Sequence, residues 1–417
     1  MGDMVTWFCE RHVHEPFLVE YVTEQIRWLD EDSGECELCL WEARPGMPMD
    51  DLVELVEQVV DRHFERAADN GVPWDSEEGG WAFSTSDTEE VLQELGLPDA
   101  VDAEIMNTLV ASIEDDSWVD RGSPARSPIE RLGSGWRTFV RHVQHTSRFL
   151  LRPEPERPHD IFFEDDRDVP VSEVMHAIGQ LIVSPQLDIL TTVDTATAIY
   201  RARAYGEVRP REPLELVAPP PPRATAGRMN AAGIPVLYGA FDAETAAAEV
   251  YDGSDNAVIA CLHPVRDLTV VDLTQVPRFS IFDLRVSAEA FERAAFLNGF
   301  VNDVVRPVVR DGRRDHEYAP TQYVTEYLRW QLGHGQLRVD GVVFRSARRP
   351  GGRNIVVFTD GPGCLTDEQL GRPRPSWIAA PLLALADAVE IREYGPPTTR
   401  VVRQFSVADR DAPPGSS

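Results

Sequence analysis

Apolar positions in the first part of the chain recur three and four residues apart, which is the spacing of one helix face. The clearest case is the segment from Asp50 to Ala68, where either Asp50 or Asp51 is a candidate N-terminal cap. The same spacing predicts helices at residues 16–28, 88–95, 103–113, 135–151 and 171–183. Strand-like alternation is scarce before residue 195, so this part of the chain is predicted to be mostly helical.

The pattern changes near Thr191, where short apolar runs rich in β-branched residues begin. Such runs are typical of strands, and they occur at residues 198–201, 236–238, 257–260, 268–271, 341–344 and 355–358. Helical spacing interrupts them at residues 243–250, 288–304 and 320–332. The tail predicts one helix at 377–386 and strands at 389–394 and 399–405. This mixture predicts an α+β domain.

Two short pairs near the N-terminus have the spacing of metal ligands. Cys9 and His12 are separated by two residues, and so are Cys36 and Cys39. Two such pairs can close a tetrahedron of three thiolates and one imidazole, which suits structural zinc. His14 is an alternative to His12 as the imidazole ligand. We therefore predict a zinc knuckle with a structural role, because four protein ligands leave no open position for water.

Charge and composition narrow the classes of protein. The chain has 417 residues and a net charge of −30, so it is expected to hold two or three domains and to repel nucleic acid. No lysine is present, which excludes Schiff-base chemistry through lysine. No apolar run approaches the ~20 residues of a membrane span, and the first residues lack a secretory pattern. A cytoplasmic protein without a membrane partner is the expectation.

The second half carries a series of motifs. They are Tyr200-Arg201, the stretch from Gly227 to Tyr238, the stretch from Thr245 to Glu249, the stretch from Tyr318 to Gln322, and Phe344-Arg345-Ser346. Their order resembles the RES family of bacterial toxin–antitoxin systems, whose fold is similar to that of ADP-ribosyltransferases. The resemblance covers about residues 185–360. It implies that NAD is the substrate, that nicotinamide is released by phosphorolysis or hydrolysis, and that growth arrest follows.

The chemistry of these residues agrees with that resemblance. Breaking the nicotinamide–ribose bond leaves positive charge on the sugar carbon, which the carboxylate of Glu249 can stabilise. Tyr238 can stack on nicotinamide, or its hydroxyl can bind ribose or phosphate. Arg201 and Arg228 can hold the pyrophosphate, and Ser346 can add a hydrogen bond to ribose or phosphate.

One point remains open in this assignment. Arg203 lies two residues from Arg201 on the same strand face, so either of them can be the phosphate ligand.

The glycine-containing stretch at residues 349–354 precedes a strand, whereas a dinucleotide fingerprint follows one. A hydride-transfer enzyme is therefore disfavoured, and Gly351 and Gly352 are interpreted as a hairpin turn.

The N-terminal half offers a second candidate chemistry. Arg137 and His142 are separated by four residues on a predicted helix, which resembles the ribonuclease motif of HEPN domains. Arginine would hold the scissile phosphate and histidine would transfer a proton. Five positions on a helix turn through about 500°, so the two side chains share a face only in part.

These observations predict four parts. We expect a zinc-knuckle segment at residues 1–45, a helical HEPN-like domain at 46–190, a RES domain at 191–365, and a C-terminal extension at 366–417 that packs on the RES domain. The expected function is that of an NAD-degrading toxin. The alternatives are an ADP-ribosyltransferase that modifies a protein, a ribonuclease, and an inactive interaction protein. The resemblance implies an Xre-type antitoxin as partner, although the N-terminal part can instead restrain the enzyme in cis.

Overall fold

The computed structural model describes residues 4–29, 33–39, 42–70, 73–75, 80–81, 84–121, 126–153, 167–205, 210, 212–250, 256–306, 314–371, 380–395 and 398–405. Contacts between residues divide the chain into two compact units. The first unit comprises the described residues of 1–131, Arg167 and residues 278–295. The second comprises the described residues of 132–153, 168–277 and 296–405.

The helices follow in chain order. They are α1 (Pro16–Leu29), α2 (Met49–His63), α3 (Ala67–Asn70), α4 (Thr88–Glu94), α5 (Leu97–Ala100), α6 (Ala103–Ser112), α7 (Pro128–His145), α8 (Val174–Ile182), α9 (Pro213–Leu216), α10 (Ala243–Val250), α11 (Ala288–Val305), α12 (Arg314–Glu317), α13 (Ala319–Trp330) and α14 (Asp367–Leu370). Short 3₁₀ turns occur at Glu10–His12, Pro221–Arg223, Leu332–Gly335 and Pro362–Cys364.

The strands are shorter in the first unit than in the second. They are β1 (Trp7–Phe8), β2 (Met47–Pro48), β3 (Phe64–Arg66), β4 (Trp74–Asp75), β5 (Gly80–Trp81), β6 (Trp118–Asp120), β7 (Leu190–Val193), β8 (Ile199–Ala204), β9 (Leu237–Ala240), β10 (Asn256–Pro264), β11 (Leu268–Asp272), β12 (Gly341–Arg345), β13 (Arg353–Val357), β14 (Leu383–Gly395) and β15 (Thr398–Phe405). The first six form three two-stranded sheets.

The apolar face of α2 forms the centre of the first unit. Its buried leucines and valines pack with side chains of α4 and α6, among them Leu92 and Ile105, in one apolar cluster. Phe282 belongs to the same cluster. Arg62 at the end of α2 donates to the backbone carbonyls of Asp283, Leu284 and Val286 at 3.2, 2.6 and 2.7 Å. Residues 278–295 are thus part of the core of this unit through both packing and hydrogen bonds.

A nine-stranded sheet dominates the second unit. Its order is β15-β14-β10-β8-β9-β13-β12-β11-β7. Neighbouring strands are antiparallel except β11 and β12, which are parallel. One row of residues crosses four adjacent strands, because Tyr200 lies opposite Ala240, Ala240 opposite Asn354, and Asn354 opposite Phe344.

Small side chains bring α10 close to this sheet. Ala246 and Ala247 of the helix form a buried cluster with Ala202, Ala240 and Ile259 of the strands. Methyl groups on both sides allow the backbones of helix and sheet to approach each other, and close packing of this kind fixes the helix in place. The residue that follows these alanines by two positions, Glu249, is therefore held at the same face of the sheet.

The described structure confirms the predicted fold class, with a mostly helical N-terminal part and an α+β part. The tail helix predicted at residues 377–386 is wrong. Residues 383–386 begin strand β14, and residues 372–379 lie outside the described residues. Strand β14 pairs with β10, and Leu383 and Leu385 are buried. Cross-strand pairing therefore outweighs the helix propensity of this leucine- and alanine-rich segment. None of the described helices is both long enough and apolar enough to cross a membrane.

Candidate active site

A cavity of about 710 Å³ opens where α10 meets the row of residues across the sheet. Its size is in the range of small-molecule sites. The residues that line it are Tyr200, Arg201, Ala202, Arg228, Tyr238, Gly239, Ala246, Glu249, Val250, Tyr318, Phe344, Ala347, Arg348 and Asn354. Four of the five predicted NAD-contacting residues, namely Arg201, Arg228, Tyr238 and Glu249, are among them.

The carboxylate of Glu249 is held by two hydrogen bonds to the same oxygen. Ser346 donates from Oγ and Asn354 donates from Nδ2, each at 2.7 Å to Glu249 Oε1. Within the described part of the chain, Oε2 has no hydrogen-bond partner. One oxygen therefore fixes the orientation of the side chain, and the other is available to a ligand.

Ser346 does not line the cavity but supports Glu249 from the turn after β12. Its Oγ accepts hydrogen bonds from the backbone N–H groups of Arg348 and Arg349, each at 3.1 Å. Since two backbone donors occupy the lone pairs of the hydroxyl, its proton is directed to Glu249. In the described structure Ser346 thus contacts the Glu249 carboxylate and not the cavity.

The turn between β12 and β13 is tied to the start of α10. Asp242 caps the helix by accepting from the backbone N–H of Thr245 at 2.7 Å, and Arg349 pairs with Asp242 at 3.0 Å. Gly351 adopts a φ of 76°, which favours glycine, so the predicted hairpin turn is present. These contacts fix the distance between the turn that carries Ser346 and the helix that carries Glu249.

Tyr238 is engaged in a network under the loop that precedes β9. Its hydroxyl donates to Asn230 Oδ1 at 2.8 Å and accepts from the backbone N–H of Met229 at 2.9 Å. Burial raises the pKa of Tyr238 to about 12, so the phenol is neutral at physiological pH. Because its only proton is used inside the protein, the ring rather than the hydroxyl is left to contact a ligand.

Asn230 and Gln322 order the same loop. The Asn230 amide donates to the carbonyls of Thr225 and Ile234, both at 2.9 Å. Gln322 on α13 donates to the carbonyls of Gly227 and Asn230 at 2.8 and 3.0 Å. Asn230 and Gln322 lie within the motifs, although no role was predicted for them, and they hold the loop that presents Arg228.

The two predicted phosphate ligands are differently engaged. Arg201 donates from Nη1 to the Tyr238 carbonyl at 3.1 Å, and its buried Nε has no partner in the described part of the chain. Arg228 donates from Nη1 to the Val305 carbonyl at 2.6 Å. Arg203 is exposed and donates to the Glu215 carbonyl. It does not line the cavity, so the geometry favours Arg201 over Arg203.

Gly227 is the point where this loop touches Tyr238. A methyl group there would lie 2.5 Å from Tyr238 Oη and 2.6 Å from Asn230 Oδ1. We expect Gly227→Ala to separate these two atoms and to lower the free energy of unfolding by about 1–3 kcal/mol, measured by denaturant titration. The matched control is Gly299→Ala on α11, where no atom lies within 4 Å of the added methyl group. It should be neutral or stabilising by up to about 1 kcal/mol, and equal destabilisation by both variants would contradict this account.

The first unit holds a second cluster of chemically reactive side chains. The ligand atoms of Cys9, His12, Cys36 and Cys39 all lie within 4.8 Å of one another. Cys9 Sγ lies 3.6 Å from Cys39 Sγ, and His12 Nε2 lies 3.4 Å from Cys39 Sγ. Ligands of a tetrahedral zinc are about 3.8 Å apart for two sulfurs and about 3.6 Å for sulfur and nitrogen. The cluster therefore has the ligand types and spacing that could hold a metal ion.

Hydrogen bonds to Asp102 distinguish the two candidate histidine ligands, His12 and His14. Its Oδ2 lies 2.8 Å from His12 Nδ1, which leaves His12 Nε2 facing the cysteines. Its Oδ1 lies 2.8 Å from Nε2 of His14, an exposed side chain outside the cluster. Metal-binding histidines commonly donate their other ring N–H to a carboxylate, which orients the ring. The geometry thus favours His12 over His14.

Arg137 and His142 both lie on α7. Arg137 is exposed and donates to Ser134 Oγ at 3.0 Å. His142 is half-buried, and its Nε2 has no partner in the described part of the chain. Neither residue lines the cavity described above.

Sequence reasoning missed Asn354, which contacts the central carboxylate. The stretch from Arg349 to Asn354 was interpreted only as a hairpin turn, and that turn is present. The signal that was available is a polar residue at the start of the apolar strand Asn354-Ile-Val-Val357. Asn354 is only 5% exposed, and a buried amide of this kind requires partners.

Comparison with known protein families matches two regions. Residues 30–156 match HEPN/RES N-terminal domain 1, and residues 198–378 match the RES domain. Neither the curated proteins nor the solved structures include a match to the chain. The cavity, with Arg201, Tyr238 and Glu249 on its walls, lies within the second matched region. The chain thus combines a HEPN/RES N-terminal domain 1 with a RES domain, as the resemblance of its motifs predicted.

Proposed function

We propose that the RES domain degrades NAD by breaking the bond between nicotinamide and ribose. The observation that carries this proposal is the carboxylate of Glu249, which is fixed by two hydrogen bonds and lines a cavity that also contains Arg201, Arg228 and Tyr238. A negative charge and two cationic groups in one cavity match a substrate that becomes positive at one carbon and carries an anionic pyrophosphate.

Glu249 acts on the sugar carbon. As the bond from C1′ to the nicotinamide nitrogen breaks, the electron pair leaves with nicotinamide and C1′ becomes positive. A carboxylate that is already oriented stabilises this charge without reorganising. Ser346 and Asn354 hold Oε1, so Oε2 is the oxygen that faces the reacting sugar.

The arginines and Tyr238 hold the rest of the substrate. The unpartnered Nε of Arg201 is a buried donor beside the cavity, and an anionic oxygen is the acceptor that a buried guanidinium prefers. Arg228 supplies a second positive charge from the ordered loop. The Tyr238 ring is available for stacking on nicotinamide, because its hydroxyl is bonded within the protein.

The acceptor of the ADP-ribosyl group distinguishes three reactions. With phosphate, an oxygen of phosphate bonds to C1′ and its proton passes to solvent. With water, the water oxygen bonds to C1′ and one proton passes to solvent, which gives ADP-ribose. With a protein side chain, the product is a modified protein. The first two define an NAD phosphorylase and an NAD glycohydrolase, and the third an ADP-ribosyltransferase.

The test is to incubate the purified chain with NAD in buffers with and without phosphate. We expect nicotinamide release in both cases or with phosphate alone, and mass spectrometry of the ribose-containing product identifies the acceptor. A parallel incubation with RNA, using the wild type and His142→Ala, tests the ribonuclease alternative. RNA cleavage lost in His142→Ala, with NAD left intact, would overturn the proposal.

The metal cluster and the partners belong to the same proposal. We propose that Cys9, His12, Cys36 and Cys39 hold a structural zinc ion, because the tetrahedron they offer is complete without water.

We further propose that the activity requires restraint in the cell, by an Xre-type antitoxin or by the N-terminal domain. Co-expression with an Xre-type antitoxin, scored by growth, distinguishes these two forms of restraint.

A further inference from the structure

We propose that the side-chain carbonyl oxygen of Asn354 accepts a hydrogen bond from a ribose hydroxyl next to the carbon that Glu249 stabilises. Asn354 then sets the preference of the enzyme for a ribosyl rather than a deoxyribosyl substrate. This inference rests on the proposed function, since it names the group of NAD that Asn354 recognises.

The orientation of the Asn354 amide is set by its partner. The side-chain atom 2.7 Å from Glu249 Oε1 must be a donor, because a carboxylate only accepts hydrogen bonds. That atom is therefore Nδ2. The other end of the amide, Oδ1, must point away from Glu249.

Oδ1 has no partner within the described part of the chain. It is buried, and the residue as a whole is 5% exposed. Buried acceptors in folded proteins are nearly always paired, because an unpaired one forfeits its hydration without compensation. Asn354 also lines the cavity, so a donor on a bound ligand can satisfy this oxygen.

The neighbours of Asn354 leave room for such a ligand. Along the row across the sheet, the residue opposite it on β9 is Ala240, whose side chain is a single methyl group. Ala246 of α10 is another small side chain at the cavity wall. Phe344 on β12 lies on the other side of Asn354, so the room for a ligand is on the side of β9 and α10.

Among the parts of NAD, a ribose hydroxyl fits this position best. Glu249 and Asn354 are hydrogen-bonded to each other, so a sugar whose C1′ faces Glu249 brings its ring hydroxyls towards Asn354. The pyrophosphate has no proton to donate. The amide of nicotinamide is a donor, but it is separated from C1′ by more bonds than the 2′- and 3′-hydroxyls are.

The experiment compares kcat/KM for NAD with that for analogues lacking the 2′- or the 3′-hydroxyl of the nicotinamide ribose. A missing 2′-hydroxyl also changes the reactivity of C1′. The quantity to compare is therefore the NAD-to-analogue ratio in a variant relative to the same ratio in the wild type. We expect Asn354→Leu to lower this ratio about tenfold or more for one analogue, because a site that hydrogen-bonds a hydroxyl discriminates against its absence.

Ser346→Ala is the matched control. Ser346 donates to the same Oε1 of Glu249 as Asn354 does, so its loss loosens the carboxylate to a similar extent. We expect kcat to fall in this variant while the NAD-to-analogue ratio stays as in the wild type. Asn354→Ser provides a second variant should Asn354→Leu fail to fold.

Two results would overturn the inference. Either the ratio is unchanged in the Asn354 variants for both analogues, or it falls equally in Ser346→Ala. If the wild type does not cleave NAD, the proposed function fails separately. In that case, calorimetry compares the binding of NAD and of the two analogues to the wild type and to Asn354→Leu. Absence of NAD binding overturns both the inference and the proposed function.

Discussion

Glu249→Gln is expected to lower the rate of NAD cleavage roughly a hundredfold to a thousandfold, which is the usual effect of removing one oriented electrostatic group from an active site. Glutamine has nearly the same shape as glutamate but cannot carry the negative charge that stabilises a cationic sugar carbon. The measurement is kcat from nicotinamide release at saturating NAD. The change should appear mainly in kcat, because the charge at C1′ develops in the transition state.

The control is Glu244→Gln on the same helix. Glu244 is exposed, pairs with Arg349 and does not line the cavity, so its neutralisation should change kcat little. In cells, Glu249→Ala should be tolerated far better than the wild type on expression. The role assigned to this carboxylate would be refuted if the wild type and Glu249→Ala were equally toxic, or if the wild type and Glu249→Gln had equal kcat.

Loss of one ligand from the cysteine–histidine cluster is expected to have the largest effect on stability. Structural zinc contributes about 10 kcal/mol or more to the folding of small metal-dependent domains. We expect the purified chain to contain one zinc ion and Cys39→Ser to contain none. The first unit of this variant should therefore unfold at a lower temperature than that of the wild type. Elemental analysis and calorimetric unfolding measure the two effects.

Cys261→Ser serves as the matched control, since Cys261 lies on β10 outside the cluster. This variant should retain its metal and its unfolding temperature. A wild-type chain that contains no metal after purification without chelators, and that is unaffected by chelators in solution, would count against a structural zinc. NAD cleavage by Cys39→Ser is a separate readout, because the cluster and the cavity belong to different units.

Periodicity alone predicted most elements near their observed positions. Helix α10 spans Ala243–Val250 as expected, and α6 spans Ala103–Ser112, one residue short of the expected end. Errors arose where an element depends on a distant partner. Helix α2 ends at His63, five residues early, because residues 64–66 pair with β6. Strand β14 was predicted in part as a helix because its pairing with β10 has no trace in the local pattern.

In the candidate site, too, some residues could be predicted from the sequence and others depend on distant contacts. Motif order identified Arg201, Arg228, Tyr238 and Glu249, and the structure brings these four to one cavity. The choice between Arg201 and Arg203, and between His12 and His14, depended on contacts with carbonyl groups and with Asp102 that lie far away along the chain. Such contacts leave no periodic signal.

The order of residues alone specifies the types of chemistry that this protein carries: a carboxylate, arginines and a tyrosine in ordered motifs, and two pairs of metal-ligand spacing. Which of their atoms remain available for a ligand depends on how the chain folds. Hydrogen bonds to a loop, a turn and a strand use the Tyr238 hydroxyl and Glu249 Oε1, and leave Glu249 Oε2 and Asn354 Oδ1 without partners in the described part of the chain. Residue type fixes what a group can donate or accept, whereas the partners that folding brings to it determine how much of that capacity is left for a ligand.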